Sequence, residues 1–219
     1  MTSRVITVAQ QKGGSGKTTL AVNLACALHS GGASVALLDT DPQGSLGRWF
    51  LARRDGKAQR PEPPGAPALE FSTASAWDVS YECEKLRRTH DYVIVDTPPK
   101  IDADLRPALR ACDLVLVPLS VSRVDLWATD GLIELARRED RPVLMVLNRA
   151  APRARLTAEV EAAVAETGAP RAATVLRNRV VYAETLGKGR SVGEAQPNGP
   201  AAQEIAALLR EIEQRLTDL

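Results

Sequence analysis

Residues 5–19 read Val5-Ile6-Thr7-Val8-Ala9-Gln10-Gln11-Lys12-Gly13-Gly14-Ser15-Gly16-Lys17-Thr18-Thr19. A short β-branched run comes first, a glycine-rich turn follows, and a helical pattern opens at Lys17. Strand, glycine loop and helix in that order are the context in which a backbone cradles phosphate. The glycines let the chain curl so that several N–H groups face one anion, and the positive end of the helix adds to the same field. Lys17 is placed to neutralise β- and γ-phosphates, the Thr18 hydroxyl to ligate Mg²⁺, and Thr19 to touch an α-phosphate. Set against the general pattern GxxxxGK[ST], the first glycine would fall at position 11, where this chain has Gln11. It carries instead a glycine pair, Gly13 and Gly14, and an additional basic residue, Lys12.

Outward from the loop, apolar strands are expected at 5–9, 35–39, 69–73, 92–96, 114–118 and 143–148. Helices are expected near 17–29, 79–89, 101–110, 124–138 and 157–167, and a further short strand near 172–176. Apolar runs separated by helices argue for βαβ units around a parallel sheet buried on both faces. The fold expected is therefore α/β: a three-layer P-loop NTPase sandwich whose mainly parallel, twisted sheet is flanked by helices. Its 219 residues suit one domain spanning 1–219. Residues 53–67 hold four prolines and several charges and read as a surface loop. Residues 201–219 place Ile205, Leu208, Leu209, Ile212, Leu216 and Leu219 on one helix face. The opposite face mixes Glu204, Glu211, Glu213 and Asp218 with Arg210 and Arg215, unlike the Lys- and Arg-rich face of a membrane-surface helix. Docking onto the domain is the expectation.

Two strand ends supply acids. The second strand runs into Asp39-Thr40-Asp41, and ligands of parallel sheets gather at the carboxyl ends of strands. A carboxylate there can order a water for attack or hold Mg²⁺ through water, or it can merely cap a turn. The fourth strand delivers Asp96 from the buried run 92–95, which is what a Walker B acid requires, and residues 97–104 follow it as a second switch segment.

Taken together, Lys12–Thr18, the 39–43 stretch Asp-Thr-Asp-Pro-Gln and the 95–99 stretch Val-Asp-Thr-Pro-Pro resemble the ParA/MinD family of deviant Walker A ATPases, whose loop reads KGGxGKT. The likeness covers nearly the whole chain. It implies ATP and Mg²⁺ as cofactors. It implies a slow, partner-stimulated ATPase in which Lys12 reaches across a twofold homodimer to the partner's nucleotide. Asp41 then positions the attacking water, while Asp39 and Asp96 serve the metal through water. Asn148, at the end of the sixth strand, would contact adenine, with Arg149 flanking it. The catalytic set is Lys12, Lys17 and Asp41; the nucleotide set is Gly13, Gly14, Ser15, Gly16, Lys17, Thr18, Thr19, Asn148 and Arg149; the metal set is Thr18, Asp39 and Asp96. Residues 175–194 resemble the family's late adenine-flanking region, and 117–132 a stretch frequent in its small ParA-like members.

Net charge is +1, so no overall field draws the chain to nucleic acid or membrane. Residues 149–190 nevertheless carry eight basic side chains (Arg149, Arg153, Arg155, Arg171, Arg177, Arg179, Lys188 and Arg190) against Glu159, Glu161, Glu166 and Glu184. With the resemblance, this implies salt-sensitive, nonspecific DNA binding and a cytoplasmic protein that joins the nucleoid in its ATP form. The phosphate loop begins at position 12, which leaves no room for the N-terminal helix-turn-helix of larger relatives. A ParB-like or other adaptor would stimulate hydrolysis and release the dimer. The rival readings are a MinD-like membrane-cycling regulator, which the acidic-leaning tail argues against, and a metal-cluster carrier, which would need cysteines after the fourth strand. Cys26, Cys83 and Cys112 are isolated and read as buried small hydrophobes. No apolar run approaches the ~20 residues of a membrane span.

Overall fold

The computed structural model describes residues 3–56, 67–99, 105–120, 123–150 and 162–219. Its six strands are β1 (Arg4–Val8), β2 (Val35–Asp39), β3 (Leu69–Thr73), β4 (Tyr92–Asp96), β5 (Leu114–Ser120) and β6 (Val143–Asn148). They form one sheet in the order β3-β2-β4-β1-β5-β6, every pair parallel. Helices are α1 (Lys17–Ser30), α2 (Ser45–Asp55), α3 (Val79–Arg87), α4 (Arg106–Ala111), α5 (Arg123–Arg138), α6 (Val180–Leu186), α7 (Val192–Ala195) and α8 (Pro200–Thr217).

Strands β2, β4, β5 and β6 are buried almost end to end because the sheet is covered twice, whereas the edge strand β3 exposes Glu70 and Thr73. Successive side chains point to opposite faces, so Ile6, Val8 and Leu37 pack with α1, α2 and α8. Val5, Ala36 and Leu38 pack with α3, α4 and α5 on the other side. Helix α8 docks as its stripe requires: Ile205, Leu208, Ile212 and Leu216 are all buried against that first layer. Each such side chain contributes ~1.5–3 kcal/mol of gross burial energy. All three cysteines are buried, and burial pushes their thiols up to about 12, far from reactive thiolates.

Three expectations need correction. Residues 53–55 finish α2 instead of opening a loop, while 57–66 lie outside the described residues. Helix α2 itself was not anticipated. It buries only Leu46 and Trp49 fully, and its support comes from elsewhere: the Asp39 carboxylate accepts the Gly47 N–H at 3.0 Å, and Gly47 lets the helix close on the Phe71 ring. The expected strand at 172–176 makes only isolated bridges to the β6 side, at Arg171 and Arg177. Between them the Ala173 and Thr174 N–H groups turn away and donate to the Glu211 carboxylate of α8, at 2.6 and 2.8 Å. Of the expected helices, positions 101–104 and 157–161 lie outside the described residues; 162–166 are helical.

Candidate nucleotide site

Register sets the site. Val8, Asp96 and Asp39 stand side by side at the carboxyl ends of β1, β4 and β2, and the glycine loop leaves β1 at that level. Gln10 anchors the departure: its Nε2 donates to Thr129 Oγ1 (3.0 Å) and Pro118 O (3.3 Å), and its Oε1 accepts the Gln11 N–H (2.7 Å). The loop turns through Gly14 at φ +76° and Gly16 at φ +92°. Gly16 is doubly required. Its backbone lies where L side chains are strained, and a Cβ there would run into Asn148 Nδ2.

Lys17 is nearly buried, with its Nζ donating to Gln10 O at 3.0 Å. Burial pulls its pKa below the usual lysine value, although the charges of Asp96 and Asp41 oppose this. Thr18 Oγ1 donates to Asp96 Oδ2 at 2.6 Å. Burial drives Asp96 up to about 7; the neighbouring charges of Asp39 and Asp41 push the same way, and the Thr18 hydroxyl pulls against them. Its second oxygen, Oδ1, is buried without a hydrogen-bond partner, as is Ser15 Oγ. A buried half-satisfied carboxylate against a threonine hydroxyl is a donor set suited to a hard cation that keeps its waters, as Mg²⁺ does. Among the described residues no three His, Cys, Asp or Glu side chains form a metal cage. Thr18 would thus hold the ion directly, with Asp96 behind it.

Asp39 sits beside Asp96, but both its oxygens accept backbone N–H groups, Oδ1 from Asp41 (3.0 Å) and Oδ2 from Gly47 (3.0 Å). Besides the outer-shell metal role expected of it, Asp39 braces the Asp41 turn and caps α2. Burial raises its pKa all the same. Asp41 accepts the Gln43 N–H at 2.9 Å, an Asx turn that fixes its loop.

Asn148, expected to contact adenine, has its amide engaged by the chain itself. Its Nδ2 donates to Ser15 O at 2.8 Å and its Oδ1 accepts the Arg149 N–H at 2.9 Å, so both amide functions brace the loop from the end of β6. Arg149 itself has φ +54°, uncommon outside glycine and often seen where function is placed.

A cavity of about 250 Å³ opens over the loop. It is lined by Gly13, Gly14, Gly16, Lys17, Thr18, Thr19, Asp41, Ser45, Pro99, Arg149 and Leu186. Eight of these were expected from sequence as site residues, and the structure brings them together. Ser15 lies buried beneath them, and part-exposed Lys12 lies outside the lining. Sequence reading missed Gln10 and Ser45, and it reached Leu186 only as part of the 175–194 region; the position of Gln10 at the strand–loop junction was the one signal available. On the far side, Asn23 accepts the Val192 N–H (2.8 Å) while donating to Thr19 O (2.7 Å), joining α1 to the segment after Leu186.

Residues 6–192 match the CobQ/CobB/MinD/ParA nucleotide binding domain. The chain belongs to the ParA/MinD family, as a ParA-like positioning ATPase. It is 34% identical over 215 residues to the maintenance of carboxysome distribution protein A of Halothiobacillus neapolitanus, covering 94% of this chain and 95% of that one. It is 29% identical to the chromosome-partitioning ATPase Soj of Thermus thermophilus, covering 98% and 97%. Among solved structures, MinD of Pyrococcus horikoshii complexed with Mg-ADP shares the fold with a TM-score of 0.80 at 20% identity, covering 96% of each chain. Nucleotide binding is the property by which that family domain is described. Among the described residues no helix is long and apolar enough to cross a membrane.

The basic stretch is less exposed in charge than its sequence suggests. Glu204 of α8 pairs with Arg179 at 2.6 Å, and Arg190 Nη2 donates to Glu194 O at 2.6 Å. Arg153 and Arg155, with Glu159 and Glu161, lie outside the described residues, as do 100–104 of the second switch segment. So do 121–122 and the side chains of 123–128 in the 117–132 stretch.

Proposed function

We infer that the protein is a Mg²⁺- and ATP-dependent switch that positions a cargo. ATP occupies the loop cavity, with its phosphates on the Gly13–Thr19 backbone and Lys17. Mg²⁺ on Thr18 supplies charge neutralisation at the phosphates. Asp41, held over the cavity by Asp39 and its own turn, orders the water that attacks the terminal phosphate, and turnover stays slow until an adaptor engages. Lys12 acts on the nucleotide of a second copy, so that ATP drives a homodimer. The dimer binds DNA without sequence preference through phosphate contacts from residues such as Arg177 and Lys188, which places the ATP form on the nucleoid. Asn148 acts on the base indirectly, through the loop and Arg149, or directly after releasing Ser15 O. The relatives named for carboxysome distribution, at 34% identity, support a protein assembly as the cargo over a chromosomal locus.

The convergence of Lys17, Thr18 and Asp41 on one cavity carries this reading. Its test is light scattering, ATP hydrolysis and DNA retention on wild type, Lys12→Ala and Asp41→Ala. Wild type should dimerise with ATP and retain DNA at low salt. Asp41→Ala should keep the dimer and lose about 10²-fold or more in turnover. Lys12→Ala should bind ATP as a monomer. A wild-type protein that stays monomeric with ATP at every concentration would refute the switch.

A further inference from the structure

Beside the nucleotide cavity lies a much larger concavity of about 990 Å³, running along α2 and facing the β3–α3 turn. Phe50 and Phe71 stack in it, with ring centroids 4.9 Å apart and planes at 20°. On its rim stand Leu51, 49% exposed, and Trp77, 86% exposed. These are two of only five large apolar side chains so exposed among the described residues, and a third, Tyr81, is four residues from Trp77. Apolar surface concentrated in this way marks an interaction site.

Charge says what fits. Asp41 lines the groove before α2 begins, and Arg54 lines it at the far end of the helix. The 11 residues of α2 span ~15 Å at 1.5 Å per residue, so the groove is negative at one end, positive at the other and apolar between. Arg54 pairs with its neighbour Asp55 at 3.9 Å, and both are well exposed. Such a pair is weak and leaves the guanidinium able to take another carboxylate. A helix with acids in its first turn and bases in its last is favoured by its own dipole. Laid antiparallel to α2, it would set those bases at Asp41 and those acids at Arg54.

We propose that the α2 groove is the docking site for an amphipathic helix of the adaptor, about three turns long, acidic at its N-terminus, basic at its C-terminus and apolar on the facing side. This rests on the adaptor-stimulated cycle above and gives that cycle a place of entry. Asp41 and Pro99 line the groove and the nucleotide cavity alike. An occupant therefore reaches the carboxylate that orders water. Asp39 carries the contact further, since one oxygen holds Asp41 and the other holds α2.

The probe is a labelled 12-residue peptide with Glu at its first two positions, Leu and Phe at helical spacing and Lys at its last two, beside a control with the charged ends exchanged. Anisotropy is read on the full-length protein with Mg-ATP, and ATP turnover is read in parallel. The peptide should bind at least about tenfold tighter than the control and should raise turnover. Leu51→Ser and Trp77→Ser should each weaken it about tenfold, as loss of a central apolar anchor does, with basal turnover unchanged. Equal binding of the two peptides, or binding indifferent to both substitutions, overturns the proposal. So does a nucleotide-free wild-type dimer that Trp77→Ser makes monomeric, since a second copy then fills the groove. Basal nucleotide binding and hydrolysis without peptide report on the switch itself: if those persist while the peptide fails, the docking site alone is wrong.

Discussion

The nucleotide cavity and the α2 groove share two residues and are built on opposite terms. In the cavity, groups that would meet a nucleotide already have partners from the chain: Thr18 on Asp96, Lys17 on Gln10 O, Asn148 on Ser15 O. In the groove, Leu51 and Trp77 stand in water. A polar group can be kept ready by an internal stand-in, because exchanging one hydrogen bond for another changes little net free energy. An apolar group has no stand-in short of burial. The cavity can therefore stand ready in one chain before its nucleotide and the partner's Lys12 arrive, whereas the groove asks for a second molecule merely to cover it.

The sharpest way to break this comparison is Lys17→Ala. It should weaken ATP binding by about 100-fold, the worth of a strong charge-assisted contact, while leaving peptide binding in the groove intact; a fluorescent ATP analogue and the labelled peptide measure both. If the two fall together, the regions are not separable. Next in size is Gly16→Ala, which forces a side chain into a positive-φ site against Asn148. Chemical denaturation should show a loss of ~1–3 kcal/mol without nucleotide present.

A third test concerns pH. The Asp96 carboxyl ionises near 7 in the folded protein and near 3.8 when unfolded, so the folded state holds its proton more tightly. Its contribution to stability is complete below the unfolded value and is lost as pH rises through about 7. Urea midpoints should show wild type losing more stability than Asp96→Asn between pH 5 and pH 8; parallel profiles would show that the carboxyl is not perturbed. The smallest effect belongs to the groove. Leu51→Ser and Trp77→Ser should change folding stability by less than ~0.5 kcal/mol, as exposed positions do, and a larger loss would make them core residues.

What was legible in the sequence was whatever a strand end delivers. The phosphate loop, Asp41 and Asp96 sit where an apolar run stops, and the parallel fold brings such ends together. Helix α2 was not legible, because the group that caps it lies on another element: Asp39, whose short-range pattern reads as a metal or turn acid, reaches Gly47. The bracing role of Asn148 was not legible for a related reason. Its amide suits a base, but the loop carbonyl of Ser15, 133 residues away, meets it first. The 172–176 run had strand composition, and only the distant Glu211 diverts its N–H groups. In each case the deciding partner was remote in the chain, and periodicity carries no information about remote partners.

The same Glu211 has a consequence for solubility. Residues 170–178 pair with the outer side of β6, through Met145, Leu147 and Ala150, and α8 holds them there with Glu204 and Glu211. An uncovered parallel strand as apolar as Val143–Asn148 would be a template for edge-to-edge aggregation. The two acids of the last helix thus act as a clasp that keeps the sheet from growing into its neighbours.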